Sequence, residues 1–143
     1  MRVALTLVIT AVLALVLFTM NAGTGLTGQI HLTGQITESH NRTRKPGSAE
    51  TFYISLQSPR RIGRSFGYGI VACIWISTKT TIRQCAGTFS LPRGKISVAG
   101  SFLYPPLLEV AITGGTGAYK NAGGVLDVIQ YTPLRFHLIF TLN

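Results

Sequence analysis

The chain is short of the residues from which most catalytic and metal sites are built. Its 143 residues include four acids, three histidines and two cysteines. The histidines, His31, His40 and His137, are scattered. No His/Cys cluster has zinc spacing, so no metal site is expected. No Cys-x-x-Cys occurs. Nothing resembles a nucleophile elbow, and no Ser-His-Asp arrangement can be read. Gly114-Gly115-Thr116-Gly117 lacks the Gly-Lys-Ser/Thr ending of a phosphate-binding loop, and no amphipathic helix follows it. After residue 25 no segment sustains a period of about 3.6, so a helical domain is not expected. Nothing in this inventory calls for a cofactor.

What is present is basic charge and alternation. Thirteen Lys and Arg stand against Glu38, Glu50, Glu109 and Asp127, a net charge of +9. The basic residues cluster at Arg42-Thr-Arg44-Lys45 and Arg60-Arg61-Ile-Gly-Arg64, in loops that contain Pro or Gly. Such clusters meet anionic lipid, cell-wall polymer or nucleic acid, or merely keep a solvated loop soluble. No aromatic ladder or nucleic-acid motif stands beside them, so nucleic acid is not an expected partner.

Even-numbered positions are apolar through most of the chain. They run Ile30, Leu32, Ile36, then Phe52, Ile54, Leu56, then Tyr68, Ile70, Ala72, Ile74, Ile76. Further on they run Ile96, Val98, Phe102, then Leu108, Val110, Ile112, then Phe136, Leu138, Phe140, Leu142. The odd positions between them are mostly polar. Strict alternation is the signature of a strand with one buried face. Turn residues divide the pattern into eight strands, near 28–37, 51–58, 66–77, 80–90, 94–103, 107–113, 123–130 and 134–142. Eight short strands with tight connections predict an all-β fold, an eight-stranded antiparallel up-and-down β-barrel with an apolar lumen. A barrel of that size holds its own side chains or one small ligand.

With even positions inward, the lumen residues expected to touch a substrate fall into two groups. The polar ones are Tyr68, Gln84, Thr88, Ser90, Tyr104 and Gln130; the apolar ones are Val98, Phe102, Val110, Ile112 and Phe136. Glu109, Asp127 and His137 then lie outside. The alternative places the odd face inward, where those three form a buried acid/base set beside Arg83 and Arg135. The uniformity of the apolar even face favours the first arrangement.

Cys73 and Cys85 are placed symmetrically about Lys79. A hairpin turning at Thr78-Lys79-Thr80 sets them directly opposite each other, and sets Trp75 opposite Arg83. Non-hydrogen-bonded antiparallel pairs have Cα atoms about 4.5 Å apart, inside the disulfide range. A structural disulfide, Cys73 to Cys85, is therefore expected, with a cation–π or stacking contact between Trp75 and Arg83.

The N-terminus reads as a targeting segment. Arg2 is followed by an uncharged run, Val3 to Met20. That is how an export signal is built, and the run is also close to a membrane span in length. Ala22 suits the −1 position of a cleavage site, whereas Met20 at −3 is not small. Residues 1–25 are expected to form a signal peptide or a hydrophobic anchor helix, with a membrane tether through residues 3–20 in the second case. Either leaves Arg2 inside and residues 26–143, the barrel domain, outside the cytoplasm, secreted or anchored. An oxidising compartment suits the disulfide. Asn41-Arg-Thr43 is a glycosylation sequon.

Two stretches carry a family resemblance. Residues 85–100 read CAGTFSLPRGKISVAG, and residues 111–124 read AITGGTGAYKNAGG. They resemble the allene oxide cyclase-like and dirigent-like barrel superfamily, in particular its small exported bacterial members. Those carry C-x-G-T-x-x-L-P-x-G-x-I-x-x-x-G and V-T-G-G-T-G-x-Y-x-x-A-x-G. Gly123 departs from the pattern, standing where relatives have arginine. The resemblance implies an eight-stranded barrel, a homo-oligomer (a trimer among relatives) and a small apolar molecule as partner. It implies an exported, cofactor-free cyclase or isomerase, or a stereo-directing protein, that steers ring closure or coupling by templating. A secreted barrel that binds an apolar molecule without catalysis fits the same residues.

Overall fold

The structure, a computed structural model, describes residues 26–40, 43–60, 63–103 and 107–143. The targeting segment, the sequon's Asn41 and the lumen candidate Tyr104 lie outside the described residues. The alternating segments form eight strands: β1 Gly28–His40, β2 Ala49–Gln57, β3 Ser65–Ser77, β4 Ile82–Leu91, β5 Gly94–Leu103, β6 Leu107–Gly115, β7 Gly124–Thr132 and β8 Arg135–Leu142. Each pairs antiparallel with its neighbour in sequence, and β8 returns to β1, so the sheet closes without a free edge. The expected eight-stranded antiparallel up-and-down barrel is the fold observed.

Residues directly opposite on an antiparallel ladder share a face. The ladders therefore show which parity points inward. Ile36 pairs with Ile54, Val110 with Leu126, Leu126 with Phe140 and Leu32 with Leu138, even with even. Across two ladders the parity changes. Phe52 pairs with Val71 and Ile54 with Gly69; Gly87 pairs with Val98 and Phe89 with Ile96. So β3 and β4 turn their odd residues inward, contrary to an even inner face throughout. The cause is the length of the two flanking connections. The Pro92-Arg93 turn pairs Leu91 with Gly94, odd with even, and the connection from β2 to β3 makes the same change. A one-residue difference in a turn exchanges the two faces of the next strand. The even residues Tyr68, Ile70, Ile74 and Ile76 accordingly face outward, each 39% to 56% exposed.

The barrel interior is densely filled at one end. Leu32, Leu56, Ile96, Leu126, Leu138 and Phe140 are fully buried, and Phe89 meets Phe140 edge to face at 5.2 Å between ring centroids. The two stretches that carry the resemblance lock together at this end. Ala118 N–H donates to Arg93 O at 2.9 Å, Thr116 N–H to Lys95 O at 2.8 Å, and Lys95 N–H to Thr116 Oγ1 at 3.2 Å. Gly94 allows the approach. Its φ is +148°, and a Cβ there would lie 2.0 Å from the Thr116 carbonyl oxygen. A single 3-10 turn, Gly117–Tyr119, follows and seats Tyr119, 5% exposed, as the plug. Burial pushes the Tyr119 hydroxyl above its usual 10.0, against the lowering pull of Arg93. Among the described residues no helix is long and apolar enough to cross a membrane.

Candidate functional site

Beyond the Phe89–Phe140 layer the interior opens into a cavity of about 360 Å³. It reaches the surface among the β1–β2 loop, the β3–β4 hairpin and the β7–β8 turn, where Arg44, Thr81, Pro133 and Leu134 stand at its edge. Its walls are mostly apolar: Phe52, Val71, Val98, Val110, Val128 and Phe136 among others. These are the inward residues of the alternating strands, so the apolar lining follows directly from the binary pattern.

The charged groups gather on one side, on β2 to β4, while the amide of Gln130 lines the cavity from β7. Cys73 and Cys85 are paired in register and bonded, with Cα atoms 4.0 Å apart. The disulfide is where the hairpin reading places it, and it faces the cavity. One step toward the mouth, Trp75 pairs with Arg83, whose guanidinium carbon lies 4.8 Å from the indole centroid. On the neighbouring strand Glu50 pairs with Cys73, and Arg83 Nη1 donates to Glu50 Oε2 at 3.1 Å. Glu50 is buried and Arg83 largely so, 6% and 13% exposed at the side chain. A carboxylate taken out of water this far requires a close cation, which Arg83 supplies. Arg44 approaches the same indole at 5.9 Å. Its loop is stitched to β3: Gly47 N–H donates to Trp75 O at 2.7 Å, and Trp75 N–H to Ser48 O at 3.0 Å. Ser48 Oγ in turn donates to Lys45 O at 2.6 Å. Two guanidinium groups and one carboxylate thus surround Trp75, leaving this end of the cavity with a net positive charge.

The expected lumen residues separate cleanly. Val98, Val110 and Phe136 line the cavity. Ile112 is buried in the packed core. Tyr68, Gln84, Thr88 and Ser90 lie on the even face of β3 and β4, hence outside, and none lines the cavity. Tyr68 stacks on Tyr53 there at 5.6 Å, and Gln84 is exposed. Phe102 sits in β5 opposite Arg83 in register. Glu109 and Asp127 pair with each other on the outer face of β6 and β7, and Arg135 is exposed. Arg83 does enter the lumen, because the odd face is the inner one in its strand. Glu50 and Trp75 were not among the expected site residues. The sign of Glu50 was present: it continues the inward row Phe52, Ile54, Leu56 by one step toward the mouth.

No family model matches the sequence, and no curated protein matches it. Solved structures do. A pyocyanin demethylase superposes with a TM-score of 0.71 at 23% identity, covering 81% of this chain and 100% of that one. The pterocarpan synthase dirigent protein GePTS1 gives 0.70 at 14%, covering 82% and 87%. AbnU, an exo-specific intermolecular Diels-Alderase, gives 0.66 at 13%, covering 82% and 98%. The chain has the barrel fold of the dirigent-like and allene oxide cyclase-like proteins, the fold that its 85–100 strand pair and Gly114–Gly117 turn resemble.

Proposed function

We propose that this chain is an exported cyclase or stereo-directing protein that needs no cofactor and folds a small, largely apolar substrate inside its barrel. The observation that carries the reading is the cavity itself: apolar walls, one open end, and a buried Glu50–Arg83 pair beside Trp75. Apolar walls of fixed shape hold a flexible molecule in one reactive conformation, and orientation alone lowers a barrier substantially. Arg83 provides donors for oxygen charge that develops during ring closure. Glu50 holds that guanidinium in place and is a carboxylate within reach of a substrate proton. Solved neighbours described as a dirigent protein and as Diels-Alderases support the reading. The disulfide suits an oxidising, extracytoplasmic compartment.

Native mass spectrometry of the purified protein tests it first, by catching a molecule carried in the barrel. Its chemical class then selects substrates for turnover. Val110→Phe, which fills the cavity, is expected to abolish both capture and turnover while the fold persists. Glu50→Gln is expected to lower turnover and spare capture. Capture without turnover of any related substrate would establish the second reading, a secreted apolar-ligand carrier. An unchanged rate in Val110→Phe would remove the cavity from the mechanism. The partner proposed besides the ligand is a second copy of the chain. The apolar outer row Tyr68, Ile70, Ile74 and Ile76 bears no charge on a protein of net charge +9, so copies can meet there without repulsion. Ile74→Lys is expected to lower the mass measured by light scattering.

A further inference from the structure

Two histidines that lie 106 residues apart in sequence meet on the outer face of the barrel. The β1–β8 ladder pairs Thr33 with His137 and His31 with Ile139, so the two imidazoles are diagonal neighbours. His31 Nδ1 stands 3.4 Å from His137 Nε2. The remaining ring nitrogens are committed elsewhere. Gln29 Nε2 donates to Thr141 Oγ1 at 3.4 Å, which turns Gln29 Oε1 toward His31 Nε2 at 3.3 Å. An amide oxygen accepts only, so the proton of His31 sits on Nε2 and its Nδ1 carries a lone pair. Tyr131 Oη lies 3.3 Å from His137 Nδ1, and the two rings stack with an interplanar angle of 18°. If Tyr131 Oη accepts from that Nδ1, Nε2 of His137 carries the second lone pair; if Tyr131 donates, Nε2 holds the proton and donates to His31 Nδ1.

In the first tautomer two lone pairs face each other and can share a cation. Their separation stands at the long end of the hydrogen-bond range, as does the Gln29–Thr141 contact. It agrees with two nitrogens bound at about 2.0–2.1 Å to a tetrahedral zinc ion, which stand roughly 3.3 Å apart. Hydrogen bonds donated to Gln29 Oε1 and, in that tautomer, to Tyr131 Oη are of the kind that ligating histidines characteristically make. Asp127 shares this outer face, opposite Ile139 on the neighbouring strand. We propose that His31 and His137 form a surface site for a divalent transition-metal ion, zinc foremost. Gln29 and Tyr131 fix the tautomers, and water completes the coordination. The site is separate from the cavity and does not rest on the proposed activity.

Calorimetric titration of zinc chloride into the metal-free full chain tests it. One ion per chain is expected, with a zinc-dependent rise in unfolding temperature. His31→Ala and His137→Ala should each weaken binding at least tenfold, and Gln29→Ala about tenfold. His40→Ala, which removes an exposed histidine beside Glu38, should leave binding unchanged. All four variants change exposed or half-buried side chains, and circular dichroism checks that each folds. Absence of zinc binding by the unmodified chain overturns the site. So does binding that survives the combined His31→Ala and His137→Ala change, or that is lost with His40→Ala.

Discussion

At the closed end of the barrel, Tyr119, Leu91, Ile96 and Phe140 pack against one another, and glycines let two backbones touch. At the open end, Glu50, Arg83, Trp75 and a disulfide line a cavity that the strands do not fill. Both ends are made by the same eight strands. The first spends its inward positions on shape complementarity. The second spends them on groups that must be held in place by other groups: the carboxylate by a guanidinium, the guanidinium by an indole, the hairpin by a covalent bond. The difference teaches where tolerance lies. The packed end fails by steric contact, and the polar end fails by loss of a partner.

The sharpest way to break this comparison is to put the same substitution at both ends. Gly94 and Gly47 both have positive φ, +148° and +82°. A Cβ at Gly94 meets the Thr116 carbonyl at 2.0 Å, whereas at Gly47 it meets nothing within 4 Å. Gly94→Ala is expected to destabilise by about 4 kcal/mol, backbone strain plus an unrelieved backbone clash. Gly47→Ala is expected to lose only the backbone term, about 1 kcal/mol. Denaturant unfolding measures both. Equal losses would show that the closed end yields more readily than its packing implies.

Next in size is the loss of a partner at the open end. Glu50→Ala leaves the buried Arg83 guanidinium without its carboxylate and should destabilise by about 3 kcal/mol. Glu109→Ala removes an exposed carboxylate and should stay within about 0.5 kcal/mol. If the two variants unfold at the same denaturant concentration, Glu50 is not the keystone of the polar end.

How much of this could be read from the sequence differs between the same two regions. The strands were legible throughout, because alternation is local. The disulfide and the Trp75–Arg83 pair were legible because one short hairpin fixes their register. The closed end was legible as motif, since turn chemistry is written in consecutive residues. The site was only half legible. Val98, Val110 and Phe136 follow the even parity that β5, β6 and β8 keep. Carried into β3 and β4, the same parity points Tyr68, Gln84 and Thr88 inward, whereas the ladders turn them outward. Parity is a property of each turn, and β3's outer row is itself apolar, so composition gave no warning. A single acid at the end of an apolar row, Glu50, gains its meaning only when another strand brings Arg83 to it. The same holds for His31 and His137, which only barrel closure brings together.

The covalent bond ranks below the ion pair. Removing it with Cys73→Ala and Cys85→Ala frees a loop of sequence separation 12. The chain-entropy effect for such a short loop is about 3 kcal/mol at most, and less where the hairpin is partly ordered in the unfolded chain. A loss of about 2 kcal/mol is expected, with the β3–β4 hairpin affected first in hydrogen exchange. Uniform loss of protection across the barrel would mean that the open end does not unfold separately from the closed one.

The smallest effect expected is also the most specific to the dry end. Burial raises the Tyr119 hydroxyl above 10.0, and Arg93 only partly opposes it. In the unfolded chain the same hydroxyl ionises near its ordinary value. The native state therefore keeps its proton to higher pH than the unfolded state does. The stability this contributes is fully present below about pH 10 and falls as pH rises beyond it. Tyr119→Phe retains the ring that plugs the barrel and removes the proton. Near neutral pH the two proteins should differ by less than about 1 kcal/mol. Above pH 10 the native protein should lose stability more steeply than Tyr119→Phe, and the gap between their unfolding midpoints should narrow or change sign. Contributions common to both proteins cancel from the difference. Parallel curves through the alkaline range would show that water reaches the Tyr119 hydroxyl, and that the closed end is not as dry as its packing makes it.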